Sequence, residues 1–315
     1  MDVPSHEISE NVACYLCNSL SVAISKNRRP IFFRKLHKYY RCDECKSYSL
    51  FPKLENQEIQ DLYSTKYIDD VNPDFKMNEQ VTLSRFINLQ RTLEQIGGPT
   101  NKRFLDYGCG VTAEVIILAS NLGLKAFGVE VEAGTREEAQ LKSDCQIYSP
   151  EEVLASGAQF DIVFLGDVLE HLSNPSSVLG EVKALLAPNG LLIIQGPLEG
   201  AITISNTLLS VKARLLSKSP SKFPPYHVSL ATRKSIKKTL EINGLEIQKL
   251  TISEPLWPAS KFGSRSSLAS LSALIFSFAK ILDITVCKLL ANYGTRFFLT
   301  ARRKQLSKQA NDYSP

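Results

Sequence analysis

The stretch that most constrains this chain is Phe104-Leu-Asp-Tyr-Gly-Cys-Gly-Val-Thr-Ala-Glu114. A short apolar run reaches Asp106, glycines follow at Gly108 and Gly110, and helix-forming residues continue from Ala113 to Ser120. That order reads as strand, tight turn, helix, the opening of a βαβ unit. Glycines at the turn permit positive φ and let a ligand approach the backbone where a Cβ would block it. Further on, Ala126-Phe-Gly-Val-Glu130 is a second apolar run ending in an acid. An acid at the end of the second strand is placed to accept hydrogen bonds from a ribose diol. The third glycine of the dinucleotide fingerprint is missing, which disfavours hydride transfer by a nicotinamide enzyme.

The next segment narrows the reading. Phe160-Asp-Ile-Val-Phe-Leu-Gly-Asp-Val-Leu-Glu-His-Leu-Ser-Asn-Pro175 gives a strand and then a polar loop. A helix follows from Pro175 to Leu186, with proline in its first turn and Asn189-Gly190 after its end. Leu191-Leu-Ile-Ile-Gln195 is another strand. In this order, from about residue 103 to 197, the chain resembles class I S-adenosylmethionine-dependent methyltransferases. Their pattern is a nucleotide turn L-D-x-G-C-G, an acid ending the second strand, F-D-x-V with V-L-E-H-L, and a P-x-G-x-L strand. The resemblance implies a doubly wound, seven-stranded α/β sheet, mostly parallel with the last strand antiparallel. It implies S-adenosylmethionine as cofactor, contacted by Asp106, Gly108, Gly110, Glu130, Gly166 and Asp167. Asp106 is placed to hold the turn or to pair with the ammonium of the cofactor's methionine. The cofactor carries no phosphate, so the turn need not cradle an anion, and Thr112 is tolerated where relatives often have a further glycine.

Cys14-Tyr-Leu-Cys17 and Cys42-Asp-Glu-Cys45 are two C-x2-C knuckles separated by 24 residues. Four thiolates at this spacing suit tetrahedral zinc. The intervening Ile31-Phe-Phe33 and Tyr39-Tyr40 alternate enough for a small hairpin, and metal binding would supply much of the module's folding energy. Tyr40-Arg-Cys-Asp-Glu-Cys45, Leu50-Phe-Pro52 and Tyr63 to Tyr67 are similar to the amino-terminal zinc module of one methyltransferase branch, which includes C-methyltransferases of nucleotide-linked sugars. A nucleic-acid role is disfavoured because no basic recognition helix is present and the second knuckle carries Asp43 and Glu44. Seven cysteines in 315 residues are not a disulfide framework, and no basic-then-apolar leader opens the chain, so a reducing, cytoplasmic setting is expected.

The expected domains are a zinc-knuckle module over 1–53, connecting helices over 54–99, and a methyltransferase domain over 100–303. A substrate or lid insertion is expected at about 198–230, an apolar helix at 266–291 and a polar tail at 304–315. Residues 54–70 and 76–96 read as helices, the second carrying Val81, Leu83, Phe86, Ile87, Leu89 and Leu93 near helical spacing. The third strand falls in Asp144 to Tyr148, with Tyr148 or Ser149 beside the adenine. Leu245 to Ile252 is a sixth strand and Tyr293 to Ala301 a final one. Glu170 and His171 suit either an acid/base pair or a tie between loop and helix. Pro225-Tyr-His-Val-Ser229 stands where the resemblance places a segment over the active site, and in sugar C-methyltransferases a Tyr/His segment there supplies the base. This chain has Tyr226 and His227 but no acid immediately before the histidine. His227 is the first candidate base and His171 the second, histidine having a pKa suited to proton removal near neutrality; Tyr226 accompanies them.

Net charge is +5, but residues 201–315 carry 18 Lys/Arg against 5 Asp/Glu while the first 200 carry 19 against 27. The basic third suits a solvated face, an acidic substrate or an anionic membrane. Within 266–291 the longest uncharged run is 14 residues, too short to span a bilayer. The expected function is methyl transfer to a small-molecule acceptor such as a nucleotide-linked sugar. Three rivals stand beside it: a non-catalytic domain, for which Thr112 argues; a binding module built on the zinc; and a peripheral membrane enzyme acting on a lipid-linked acceptor.

Overall fold

The computed structural model describes residues 12–24, 31–32, 35–55, 58, 79–96, 101–208, 211, 227–254 and 271–304. The helix expected over 54–70 and the tail beyond 304 lie almost wholly outside them, and Tyr226 lies outside them too.

Seven strands form the central sheet: β6 (Arg103–Tyr107), β7 (Lys125–Val129), β8 (Ile147–Tyr148), β9 (Phe160–Gly166), β10 (Leu186–Pro197), β12 (Leu245–Ser253) and β13 (Arg296–Arg303). Their order is β12-β13-β10-β9-β6-β7-β8. Pairings β10–β9, β9–β6, β6–β7 and β7–β8 are parallel. Only β13 runs against its neighbours, wedged between β10 and β12. The chain winds outward from β6 in one direction and from β9 in the other, so the crevice between their carboxyl ends is the topological switch point, where such sheets bind ligands.

These strands read as nearly continuous apolar runs because both faces are covered. Phe104, Ile162, Phe164, Ile193 and Phe298 point to one side, against Phe86, Leu89 and Leu93 of α1 (Glu79–Gln95) and Ile116 of α2 (Glu114–Asn121). Ile87 of α1 faces outward instead, because the buried stripe takes only positions three and four apart. Leu105, Val163, Leu165, Ile194 and Leu299 point to the other side, with Leu179, Val182 and Leu185 of α5 (Pro175–Leu185) and Ile236 and Leu240 of α6 (Arg233–Ile242). Ala139 of α3 (Ala133–Ser143) joins the first side and Val153 of α4 (Pro150–Ala155) the second. The α5 helix passes directly into β10 at Leu186, which already pairs with Phe160; the ladder resumes at Leu191 after an irregularity, so Asn189-Gly190 lies within the strand rather than after a helix cap.

The cysteine-bearing segment forms β1 (Val22–Ile24), β4 (Lys38–Cys42) and β5 (Tyr48–Phe51), with a two-stranded hairpin of β2 (Ile31–Phe32) and β3 (Lys35–Leu36). Its sheet is completed from far along the chain by β11 (Ser229–Leu230), where Ser229 pairs with Ser49 and Leu230 with Tyr48. Cys14, Leu16, Cys17, Cys42 and Cys45 share one apolar cluster with Ile236 and Leu240 of α6. The helix α7 (Leu271–Leu289) precedes β13. No helix among the described residues is long and apolar enough to cross a membrane.

Candidate active site

The turn after β6 is held by backbone hydrogen bonds to the next strand. Gly108 N and Cys109 N both donate to Val129 O, at 2.8 and 3.1 Å, and Gly110 N donates to Glu130 Oε2 at 3.0 Å. Gly108 has φ +89°, and a Cβ built there would stand 2.7 Å from Val168 Cγ2, so only glycine lets the loop after β9 close onto this turn. Val131 N and Glu132 N donate to Glu130 Oε1 at 2.8 and 3.5 Å, so backbone amides hold both carboxylate oxygens in place. Asp106 is buried inside β6 between Gly128 and Phe164. Thr112 is exposed. Ser149 caps α4 in a capping box with Glu152, and Tyr148 stacks on Phe127.

The loop after β9 brings the second set of expected residues to the same edge. Asp167 takes φ +57°, its N–H donates to Gln195 O at 3.0 Å, and its carboxylate accepts from the Arg296 guanidinium. A 3-10 turn at Leu169–His171 buries Glu170. Burial, reinforced by the charge of Asp167, pushes the Glu170 carboxyl up to about 8. The His171 and His227 rings meet edge to face with centroids 5.0 Å apart.

His227 has a partner that lies 28 residues away in sequence. Its Nδ1 is 2.7 Å from Glu199 Oε2, with the two side chains 33% and 37% exposed. A carboxylate only accepts, so Nδ1 carries the hydrogen and Nε2 is left as the basic nitrogen. Burial lowers the His227 pKa, but the Glu199 hydrogen bond and charge, with Glu170 and Asp167 behind them, carry it above the ordinary value. The acid absent before His227 in sequence is thus supplied in space by Glu199. A signal for it existed: Glu199 stands just past the carboxyl end of β10, at the edge where ligands bind. Arg296, which pairs with Asp167 from the antiparallel β13, carried no such signal.

The backbone of His227 is tied to both neighbouring layers. Its carbonyl accepts from Tyr39 O–H. Val228 N donates to Glu170 O and Leu50 N to Val228 O, both at 2.8 Å, and Ser229 Oγ donates to Leu169 O at 3.2 Å. Thr232, the N-cap of α6, donates from Oγ1 to Cys45 O at 2.6 Å. The four-cysteine site is therefore one hydrogen bond from the helix that follows His227.

At that site Cys14 and Cys45 Sγ are 3.6 Å apart, as are Cys17 and Cys42 Sγ, and all four sulfurs lie within 4.8 Å of one another. A tetrahedral zinc with ~2.3 Å bonds spaces its sulfurs about 3.8 Å apart, so the donor set fits the ion. Asn18 and Lys46, each one residue past a knuckle, take positive φ, and Cys45 N donates to Cys42 Sγ at 3.4 Å.

A doubly wound sheet with a glycine turn and an acid-ended second strand at its switch point defines an α/β domain of the class that takes ligands at that edge. The family described as "Methyltransferase domain" matches residues 78–250, more than half of the chain, and the chain belongs to that family. It is 31% identical over 134 residues to the ubiquinone biosynthesis O-methyltransferase of Histophilus somni (strain 2336), covering 39% of this chain and 55% of that protein. The corresponding protein of Pasteurella multocida (strain Pm70) is 28% identical over 155 residues, covering 44% and 60%. The chain thus spans about half the length of the curated relatives it matches. Among solved structures it is similar to the magnesium protoporphyrin IX methyltransferase of Synechocystis PCC 6803 with bound SAH, at 17% identity and TM-score 0.48, covering 79% of this chain and 100% of that one. A SAM-dependent methyltransferase from Archaeoglobus fulgidus gives 17% and 0.48, covering 76% and 100%.

Proposed function

We propose that the chain transfers the methyl group of S-adenosylmethionine to a small-molecule acceptor, with His227 as general base and Glu199 as its positioning partner. The observation that carries this reading is the His227–Glu199 pair at 2.7 Å, standing over the Asp167–His171 loop that itself closes on the Gly108 turn. In this reading Asp106, Gly108, Gly110 and Glu130 form the cofactor edge, joined by Gly166 at the end of β9 and Asp167 in the loop after it. S-adenosylmethionine, when bound, supplies a methyl group already activated by its sulfonium. What remains for the protein is to align the acceptor with the C–S bond and to take the proton that a carbon or oxygen acceptor loses. That proton goes to His227 Nε2, while Glu199 keeps Nδ1–H in place and balances the imidazolium charge. In the same reading Cys14, Cys17, Cys42 and Cys45 hold a zinc ion that braces the module over 1–53 against the segment carrying His227.

The resemblance to sugar C-methyltransferases favours nucleotide-linked sugars as acceptors, and the O-methyltransferase relatives favour a hydroxyl acceptor, so both belong in the first screen. The test is calorimetric binding of S-adenosylmethionine and its demethylated product to the wild type, Asp106→Ala and Glu130→Ala, followed by transfer of labelled methyl to those acceptors. Each substitution should weaken binding by ~1–3 kcal/mol for a lost charged hydrogen bond. A folded, zinc-loaded protein that binds neither ligand would overturn the reading in favour of a non-catalytic domain.

A further inference from the structure

Helix α7 turns a row of large apolar side chains outward. Its inward side carries Ala279 and Asp283, at 2% and 0% exposure, and Lys280 paired to Glu254. Its outward side exposes Ile275 at 46%, Phe278 at 63%, Ile281 at 61%, Leu282 at 37% and Leu289 at 77%. What fastens the helix is a polar clamp. Ile204 N and Ser205 N donate to the two Asp283 oxygens at 2.9 Å each, and Tyr293 O–H donates to the same carboxylate. A helix folded against a core in water does the reverse, burying its apolar stripe and exposing its charges. Beside the clamp, Ile202 is 85% exposed on the rim of an open apolar groove of about 410 Å³, lined also by Ile204, Leu208, Val211 and Tyr293. Among the described residues nothing covers the outward face of α7.

Charge selects the occupant. The sequence between Leu208 and His227 contains Lys212, Arg214, Lys218 and Lys222 and no acid, and that from 255 to 270 contains Lys261 and Arg265 and no acid. Exposed Lys288 lies on α7 itself, two turns beyond Ile281 on the same face. A second copy seated on this face would set Lys288 and the positive excess of residues 201–315 against their own likeness, whereas an anionic bilayer accepts both the apolar side chains and the positive charge. We propose that the outward face of α7 seats on an anionic lipid surface, lying in the interface without crossing it. The proposal does not depend on methyl transfer.

The test is co-sedimentation of the full, zinc-loaded chain with phosphatidylcholine vesicles with and without phosphatidylglycerol. Wild type, the triple variant Phe278→Ser/Ile281→Ser/Leu289→Ser, and Leu141→Ser, an 85% exposed apolar residue on α3, are compared. Wild type should partition about tenfold or more better onto the anionic vesicles, given roughly a fivefold gain for each basic residue near the surface. The triple variant should lose about tenfold or more of that binding, and Leu141→Ser none. If the triple variant does not fold, Leu289→Glu at the end of the helix should show the same direction of change. Wild type that stays in the supernatant, or a folded variant that pellets as well as wild type, overturns the proposal. A dimer in sedimentation velocity that the same substitutions dissolve also overturns it, assigning the face to a second copy.

Discussion

Replacing Glu199 with glutamine tests the catalytic reading most directly. The carboxylate does two things to His227 across the 2.7 Å contact. It accepts from Nδ1–H, which leaves Nε2 basic, and its charge helps hold the imidazole pKa above the ordinary value against the opposing effect of burial. Glutamine keeps the shape, removes the charge and can itself donate, so the wrong tautomer becomes accessible. A hydrogen bond to a charged group is worth about 1.5–3 kcal/mol when shielded. With the side chains one-third exposed, solvent screening takes this down to about 1 kcal/mol. The plateau rate of Glu199→Gln should therefore fall only about fivefold, whereas His227→Ala should lose ~10²–10⁴-fold as a missing general base does. The pH profile carries the sign. A base works unprotonated, so kcat/KM rises with pH through the pKa of His227, and removing the Glu199 charge lowers that pKa. The acid limb of Glu199→Gln should move to lower pH, with S-adenosylmethionine affinity by calorimetry unchanged. An acid limb that stays in place or moves to higher pH would refute the pairing as a catalytic device.

Three further outcomes are expected. Gly108→Val places a Cβ 2.7 Å from Val168 Cγ2 at φ +89° and should cost ~1–3 kcal/mol in thermal stability and weaken cofactor binding; an unchanged melt would contradict the close packing of the two loops. Cys45→Ser, or chelation of wild type, should lower both the bound-zinc stoichiometry and the melting temperature and reduce methyl transfer, because Thr232 hangs on Cys45 O; full transfer by metal-free protein would refute the bracing role. Glu170 is a buried acid whose folded pKa is raised from 4.5 to about 8, so its contribution to stability is fully present below about pH 4.5 and lost as pH rises to about 8. Glu170→Gln, neutral throughout, should flatten that part of the stability–pH curve in a melt series, and an unaltered slope would show that Glu170 is ionised in the folded protein.

Much of the sheet is legible in the sequence because its signals are local. The Gly108 turn, the acid at Glu130, the Phe160 strand and the cysteine pairs each encode backbone geometry or ligand spacing within a few residues. Strands covered on both faces announce themselves as unbroken apolar runs. The strand boundaries at β10 and β13 drifted by a few residues because pairing with neighbours, not propensity, sets where a ladder stops. The apolar stretch around α7 was visible as well, but composition says only that a surface is oily and not which way it points. Its direction follows from Asp283, captured by the backbone of residues 204 and 205 far upstream.

By itself, then, the sequence determined the order of the strands' apolar runs, the glycine turn and its acid, and the two pairs of closely spaced cysteines, because each depends on neighbours along the chain. Only the tertiary structure decided that Glu199 faces His227, that Arg296 reaches Asp167, and that β11 joins the cysteine module's sheet across some 180 residues. Those contacts form where separate elements pack, and no local periodicity records which faces will meet.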